Sequence, residues 1–238
     1  MITFLSDYGP GDEYVGVVEG VIARIAPGVR VIHLGHGVPP QDVRTGARRL
    51  ARALPYTPAG VHLAVVDPGV GGERRAVAVR CGERWLVGPD NGLLAPAAER
   101  FGIDEIVDVG ASEWRLEPVS ATFHGRDVFG PVAAHLALGE TPAGPRLDAL
   151  VPLPALPADK VHVVEVDGFG NLITDGRLPS VPVRVGGHEV AVGRTFADVP
   201  PGALVIYEDS AGDVAIARNG GSAAALLGLR AGDELELT

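Results

Sequence analysis

At 238 residues with 46% hydrophobic content, the chain can bury a sizeable core, as one large domain or as two smaller ones, and two are expected. Lys and Arg total 20 against 30 Asp and Glu, and the net charge of -10 excludes the basic footprint that a phosphate backbone demands, so no nucleic acid partner is expected. Cys81 is the single cysteine, which excludes an intrachain disulfide and a cysteine-cluster metal site and makes a reducing compartment the simplest one.

The chain opens on an apolar run, Met1-Ile2-Thr3-Phe4-Leu5, without the basic and apolar pattern of a leader. No apolar run approaches the roughly 18 residues that span a bilayer, so a cytoplasmic protein that avoids membranes is expected. After the turn-rich Ser6-Asp7-Tyr8-Gly9-Pro10-Gly11-Asp12, the apolar positions Val17, Val18, Val21, Ile22 and Ile25 keep helical spacing until Pro27-Gly28. A second strand over Arg30–Leu34 leads to Asp42, a candidate N-cap for a helix from Val43 to Leu54, and Val61–Val66 reads as a buried strand. Strand and helix alternating in this way predict an α/β domain with a mainly parallel sheet.

Val66-Asp67-Pro68-Gly69-Val70-Gly71-Gly72-Glu73-Arg74-Arg75 then breaks an apolar strand at an acid, turns through Pro and Gly, and returns through two Arg. Asp67 falls at the strand's carboxyl end, where open α/β sheets bind ligands. Short strands over 76–80 and 84–87, the turn Gly88-Pro89-Asp90-Asn91-Gly92, a helix near 94–100 and a strand over 105–109 follow. Thr122-Phe123-His124-Gly125-Arg126-Asp127 precedes a helix expected from Val128 to Leu138, with His124 just ahead of its start. An N-terminal domain over 1–145, a Pro-rich linker over 146–159 and an all-β, barrel-like C-terminal domain over 160–238 are expected.

Asp7, Asp12, Asp67, Asn91 and His124 are the polar groups at strand ends, with Arg74 and Arg75 returning beside them. An Asp held ionised by an Arg, with a His near both, could polarise a water; the same residues could equally brace a Gly-rich loop while His124 caps its helix. Asp167-Gly168-Phe169-Gly170-Asn171 could stack Phe169 on a purine and read its edge with Asn171, or be a plain hairpin turn, and Asn219-Gly220-Gly221-Ser222-Ala223 has the same ambiguity. His33-Leu34-Gly35-His36 is too sparse for a zinc site, and Gly69-Val70-Gly71-Gly72 fits neither the dinucleotide fingerprint nor the P-loop, so no metal is expected.

Read together, Phe4 to Gly9, Val66 to Gly71, Gly88 to Gly92, Thr122 to Asp127, Asp167 to Asn171 and Asn219 to Ala223 closely resemble the S-adenosyl-L-methionine hydroxide adenosyltransferases, water-using relatives of fluorinase and chlorinase. The resemblance runs along essentially the whole chain. It implies hydrolysis of S-adenosyl-L-methionine to adenosine and L-methionine by attack of water or hydroxide on ribose C5′, without a cofactor. A binding protein without turnover, or a halogenase, is the alternative. The family's water-handling set falls on Asp67, Arg74 and His124; its spacing of seven selects Arg74, which the residues alone do not separate from Arg75. Its ribose diol ligand falls on Asp7, its methionine-amino contacts on Asp12 and Asp167, and its adenine contacts on Phe169, Asn171 and the backbone at Gly220. Ser210 matches a methionine-carboxylate contact of the halogenating relatives, where Arg follows; here Ala211 follows. The resemblance also implies a homotrimer with sites at subunit interfaces.

Overall fold

In the computed structural model, which describes residues 1–238, the opening apolar run forms β1 (Ile2–Ser6), buried along its whole length. Burial on both faces marks a central strand of a covered sheet. Next come α1 (Tyr14–Ile25), β2 (Val31–Gly35), α2 (Val43–Ala53) and β3 (Val61–Val65), the expected alternation. Asp42 caps α2 by accepting from Thr45 N–H at 2.9 Å, satisfying one of the donors that a helix start leaves orphaned. β4 (Ala76–Cys81), β5 (Arg84–Pro89), α3 (Ala95–Phe101), β6 (Glu105–Asp108) and α4 (Gly130–Ala137) complete this layer.

The strand order is β2-β1-β3-β5-β4-β6; the first four run parallel, and β4 is antiparallel to both its neighbours. Successive side chains of β1 enter opposite faces. Phe4 joins Ile22, Leu63, Phe129 and Val132 under α1 and α4, whereas Leu5 joins Leu50, Leu86, Leu94 and Ala97 under α2 and α3. The helix expected from Val128 begins later, because Gly125–Phe129 wind as a π-helical turn closed by Gly130 N–H on the Gly125 carbonyl. Such wide turns recur at functional sites.

Residues Met1–Pro154 form one unit and Ala155–Thr238 a second. The start of the Pro-rich stretch is tied into the first unit: Leu147 N–H donates to the Ile106 carbonyl at 2.9 Å and Val151 N–H to Asp90 at 2.8 Å. The second unit holds β7 (Val161–Val166), β8 (Leu172–Thr174), β9 (Val183–Val185), β10 (His188–Val192), β11 (Leu204–Glu208), β12 (Val214–Arg218) and β13 (Glu234–Leu235), in the order β13-β7-β8-β12-β11-β10-β9. Arg184 in edge strand β9 and Thr238, just past the other edge, exchange backbone hydrogen bonds of 2.7 and 3.1 Å, curling the sheet nearly into a barrel.

Beside its seven strands this barrel-like unit carries one short α-helix: α5 (Ala223–Leu227) follows β12, with Ser222 accepting from Ala225 N–H at 3.0 Å and Gly228 ending it at φ 66°. Ser, an Ala/Leu run and Gly are N-cap, helix formers and C-terminal stop in that order. No helix is long and apolar enough to cross a membrane.

Candidate active site

β1 and β3 are parallel neighbours with Ser6 opposite Val65, while β2 lies on the far side of β1. The chain therefore reverses its direction of travel across the sheet at the β1/β3 boundary, the crevice where open α/β sheets take ligands. Each strand releases an acid there: Asp7 from β1 and Asp67 from β3, with Asp7 N–H still bonded to the Val65 carbonyl.

The Gly-rich loop after Asp67 needs its glycines for close approach. Gly71 lies at φ 75°, and a Cβ on it would fall 2.2 Å from the Ala121 carbonyl oxygen. That contact seats the segment carrying His124 against the loop carrying Arg74. Arg74 Nε then donates to both carboxylate oxygens of Asp67 at 2.9 and 3.0 Å, and Nη2 adds a further bond to Oδ2. The same Nη2 lies 2.7 Å from His124 Nδ1, and the guanidinium stacks on Phe129 with its carbon 5.2 Å from the ring centre. The Asp67 and Arg74 side chains are only 5% and 10% exposed, so this is a nearly desolvated, bidentate pair.

Arg has no acceptor, so His124 Nδ1 must be unprotonated and the ring's proton sits on Nε2. Burial first, and then the Arg74 charge, hold the imidazole below its ordinary value and so neutral, against the opposing pull of Asp67 and Asp127. His124 makes no side-chain cap to the helix it precedes, which removes the capping alternative.

Asp7 is shaped from the other side. Gln41, a non-glycine residue at φ 66°, points its N–H at Asp7 Oδ2 at 2.8 Å. Burial raises the Asp7 carboxyl above its ordinary value more than this bond lowers it, and the nearby Asp67 charge adds to the rise. The Tyr8 hydroxyl is pressed so closely on Gly125 that a Cβ there would fall 2.0 Å from it, and burial pushes its ionisation up strongly. Asp7, Tyr8, Gln41, Asp67, Thr122 and His124 together line a cleft of 190 Å³.

Three expected residues neither line this cleft nor join the bonds among Asp67, Arg74 and His124. Arg75 turns away: its Nε donates to Asp90 at 2.8 Å and its Nη2 to the Ala149 carbonyl at 3.1 Å, so it pins the Pro-rich stretch, while Arg74 takes Asp67 and His124. Asn91 spends its amide within the fold, on the Val66 carbonyl and on Leu93 N–H. Asp12 is exposed in the loop between β1 and α1 and does not line the cleft. Tyr8, Gln41 and Thr122 were not expected as lining residues. Gln41 carries no local sequence signal, because left-handed backbone is uncommon outside glycine.

The second unit has its own concavity, a groove of 510 Å³ lined by Phe169, Asn171, Phe196, Arg218, Gly220 and Ser222. Phe169 is 84% exposed, a rare position for a large aromatic ring. Asp167 organises the turn beneath it: Oδ1 accepts from the N–H of Phe169 and of Asn171 at 2.9 Å each, and Oδ2 from the Asn171 side chain at 2.8 Å. Asn171 is thereby fixed at the groove's wall, with one of its two amide N–H groups bonded to Asp167. Ser210 is exposed in the turn between β11 and β12 and is not among the groove's lining residues.

Chemically, the first cleft offers an ionised acceptor, a neutral imidazole presenting N–H, and a further carboxylate for hydroxyl groups. The groove offers an aromatic ring for stacking beside one side-chain amide. Taken singly, the cleft fits hydroxyl groups and one oriented water, and the groove fits a flat base.

The chain matches the SAM hydroxide adenosyltransferase N-terminal domain over residues 2–145 and the corresponding C-terminal domain over residues 161–236. It is 49% identical to the (R)-S-adenosyl-L-methionine hydrolase of Salinispora arenicola, with 100% of this chain and 97% of that protein covered. The enzyme of the same name from Thermus thermophilus is 46% identical, with 99% and 98% covered. A fluorinase from Nocardia brasiliensis is more distant at 28%, with 100% and 96% covered. Among solved structures, a conserved protein of Thermotoga maritima superposes with a TM-score of 0.89 at 39% identity, covering 100% of both chains.

Proposed function

The chain belongs to the SAM hydroxide adenosyltransferase family, and from that membership we propose that it hydrolyses S-adenosyl-L-methionine to adenosine and L-methionine. Water attacks ribose C5′ in line with the C5′–S bond; the C–O bond forms as the C–S bond breaks, and the electron pair leaves with sulfur as the neutral thioether. One proton is released. The observation that carries the proposal is the bond of one guanidinium to both Asp67 and His124, two residues that line the same cleft as Asp7.

Asp67 is the ionised acceptor for a proton of the water, and His124 Nε2–H donates to the water's oxygen. His124 is therefore a positioning group in this tautomer, since its remaining nitrogen lone pair already belongs to Arg74. A sulfonium is a good leaving group, so most of the acceleration comes from holding water, C5′ and sulfur in line and from excluding bulk solvent. Asp7 takes the ribose diol. Phe169 and Asn171, with the backbone at Gly220, take the adenine, and Asp12, Asp167 and Ser210 serve the methionine end. Because Asp167 is already committed to its turn, its share of that end rests on the one lone pair left over.

A homotrimer with sites completed between subunits, a cytoplasmic location and independence of any metal or cofactor belong to the same proposal. What supports completion between subunits is that the cleft lies in one unit and the aromatic groove in the other. Purified protein incubated with S-adenosyl-L-methionine is expected to form adenosine and methionine in equal amounts, followed by chromatography, with the rate unchanged after dialysis against a chelator. No adenosine above the spontaneous background means a binding protein, and 5′-halo-adenosine in concentrated chloride means a halogenase.

A further inference from the structure

A line of four side chains runs from solvent to the fully buried base of the Asp7 loop. Glu19 Oε1 on α1 lies 2.9 Å from His33 Nε2 on β2; His33 Nδ1 lies 2.7 Å from His36 Nε2; His36 Nδ1 lies 2.7 Å from Ser6 Oγ. Ser6 is 0% exposed, whereas His33 and Glu19 are 41% and 38% exposed. The pairing of β1 with β2 slips between Phe4 and Leu5, so that Leu5 faces Gly35; that irregularity brings His36 alongside Ser6.

The carboxylate end fixes the direction of every bond. Glu19 only accepts, so His33 carries its proton on Nε2 and accepts at Nδ1. His36 then donates from Nε2 and accepts at Nδ1 from the Ser6 hydroxyl. Ser6 Oγ accepts in turn from Tyr8 N–H at 3.4 Å, and Gly9 N–H donates to the His36 carbonyl at 2.8 Å. The loop Asp7-Tyr8-Gly9 is thus held at two points by this chain.

We propose that Glu19, His33, His36 and Ser6 form a directional hydrogen-bond chain that positions the Asp7 loop and couples substrate affinity to protonation at the surface, an inference that rests on the hydrolase reading above. These are positioning residues: none lines the cleft that holds Asp7 and Asp67. One proton added to the imidazole pair reverses the chain. With His33 protonated on both nitrogens, His36 accepts at Nε2, carries its proton on Nδ1 and donates to Ser6. Ser6 then accepts from His36 in the direction it formerly donated, and its hydroxyl proton must point elsewhere, beside the Tyr8 N–H.

The groups around the pair are few. Glu19 faces it from α1, and the Phe4 ring from β1 lies 4.7 Å from the His36 ring. From α2, Arg49 places its guanidinium on the adjacent Gly37 carbonyl at 2.9 Å. Asp7 is the charged group at the inner end. Burial, and then the charge on His33, hold His36 down to about 4, and the Glu19 carboxylate faces the pair on its His33 side.

Two variants and one spectroscopic measurement test the proposal. His36→Asn places an amide oxygen where Nδ1 accepts from Ser6 but cannot titrate; His36→Ala removes the link. For wild type, KM for S-adenosyl-L-methionine is expected to rise about tenfold from about pH 8 to about pH 5 with kcat little changed. His36→Ala is expected to show the raised KM at all pH values, and His36→Asn to restore the low KM and abolish its pH dependence. In wild type, the backbone amide resonances of Asp7 and Tyr8 are expected to titrate together with the imidazole pair, and in His36→Asn to stay fixed. Unmoved amides in wild type overturn the coupling whether or not the protein turns over substrate. A KM for His36→Ala equal to that of an active wild type overturns the positioning role. Absence of adenosine from wild type overturns only the hydrolase reading, and the amide titration still decides the chain.

Discussion

Arg74 donates to His124 Nδ1 at 2.7 Å, and this one bond decides which side of the imidazole is left to face the cleft. A ring locked with its proton on Nε2 can donate to the attacking water but cannot take its proton. Its work ends when it is protonated on both nitrogens, because Nδ1–H would then oppose the guanidinium. Since burial and Arg74 hold His124 below its ordinary value of 6.5, kcat is expected to persist below pH 6.5 and to fall only with stronger acid. His124→Gln retains a neutral donor and is expected to lose that acidic limb while keeping part of kcat. His124→Ala is expected to lower kcat by about 10²-fold. A pH–rate profile measured at saturating substrate checks both, and an acidic midpoint above 6.5 contradicts the tautomer assignment.

The Asp67–Arg74 pair is bidentate and nearly desolvated, so charge alone does not reproduce it. Arg74→Lys is expected to lower kcat by about 10²-fold, because an ammonium cannot span both carboxylate oxygens and His124 together. Arg74→Ala strands a buried carboxylate and is expected to cost roughly 3 kcal/mol of stability in urea unfolding. The double variant with Asp67→Ala is expected to recover part of that loss. Additive losses in the double-mutant cycle would refute the pairing as the source of the cost.

Most of this site could be read from turn chemistry. An acid at the end of an apolar strand, followed by Pro, Gly and Arg, announces a loop that folds back on its own strand, and the Asp67–Arg74 bonds are that return. What could not be read was the choice between Arg74 and Arg75. It depends on Asp90 and the carbonyl of Ala149, residues distant in sequence that capture Arg75. Gln41 was invisible for a different reason: its contribution is a backbone N–H aimed by a left-handed conformation, and its side-chain type says nothing of that. Phe196 joins Phe169 in the groove only through the pairing of β10, β11 and β12, which no local pattern specifies. The short α5 was legible in principle, from Ser222, the Ala/Leu run and Gly228, but the surrounding strands made a β reading consistent.

Phe169 and Asn171 share a turn yet are expected to fail differently. Phe169 is 84% exposed and supports nothing else, so Phe169→Ala should leave the unfolding transition in place. Loss of one base–aromatic stack, about 1–3 kcal/mol, should weaken adenosine binding by roughly 5- to 150-fold. Asn171 is buried and bonded to Asp167, so Asn171→Ala should lower both affinity and stability. Calorimetric titration with adenosine alongside urea unfolding separates the two, and tight binding by Phe169→Ala would remove the adenine role.

His62 gives the fold its own acid sensitivity, away from the site. It lies fully buried in β3, with Arg84 Nη1 3.0 Å from Nε2 and Thr3 Oγ1 2.9 Å from Nδ1. Arg84 can only donate, so Nε2 accepts and Nδ1–H donates to Thr3. Burial, then the Arg84 charge, hold His62 down to about 4 from 6.5. Between these values the unfolded chain binds a proton that the folded chain refuses, so stability falls as pH drops below 6.5 and levels off below about 4. The loss over that window is on the order of 3 kcal/mol. His62→Gln keeps an acceptor for Arg84 and a donor for Thr3 without titrating, and its urea midpoint is expected to fall less steeply between about pH 7 and about pH 4.5 than that of wild type. Because His36 titrates in both proteins, the difference between the two slopes isolates His62. Parallel slopes would place the acid sensitivity elsewhere in the fold.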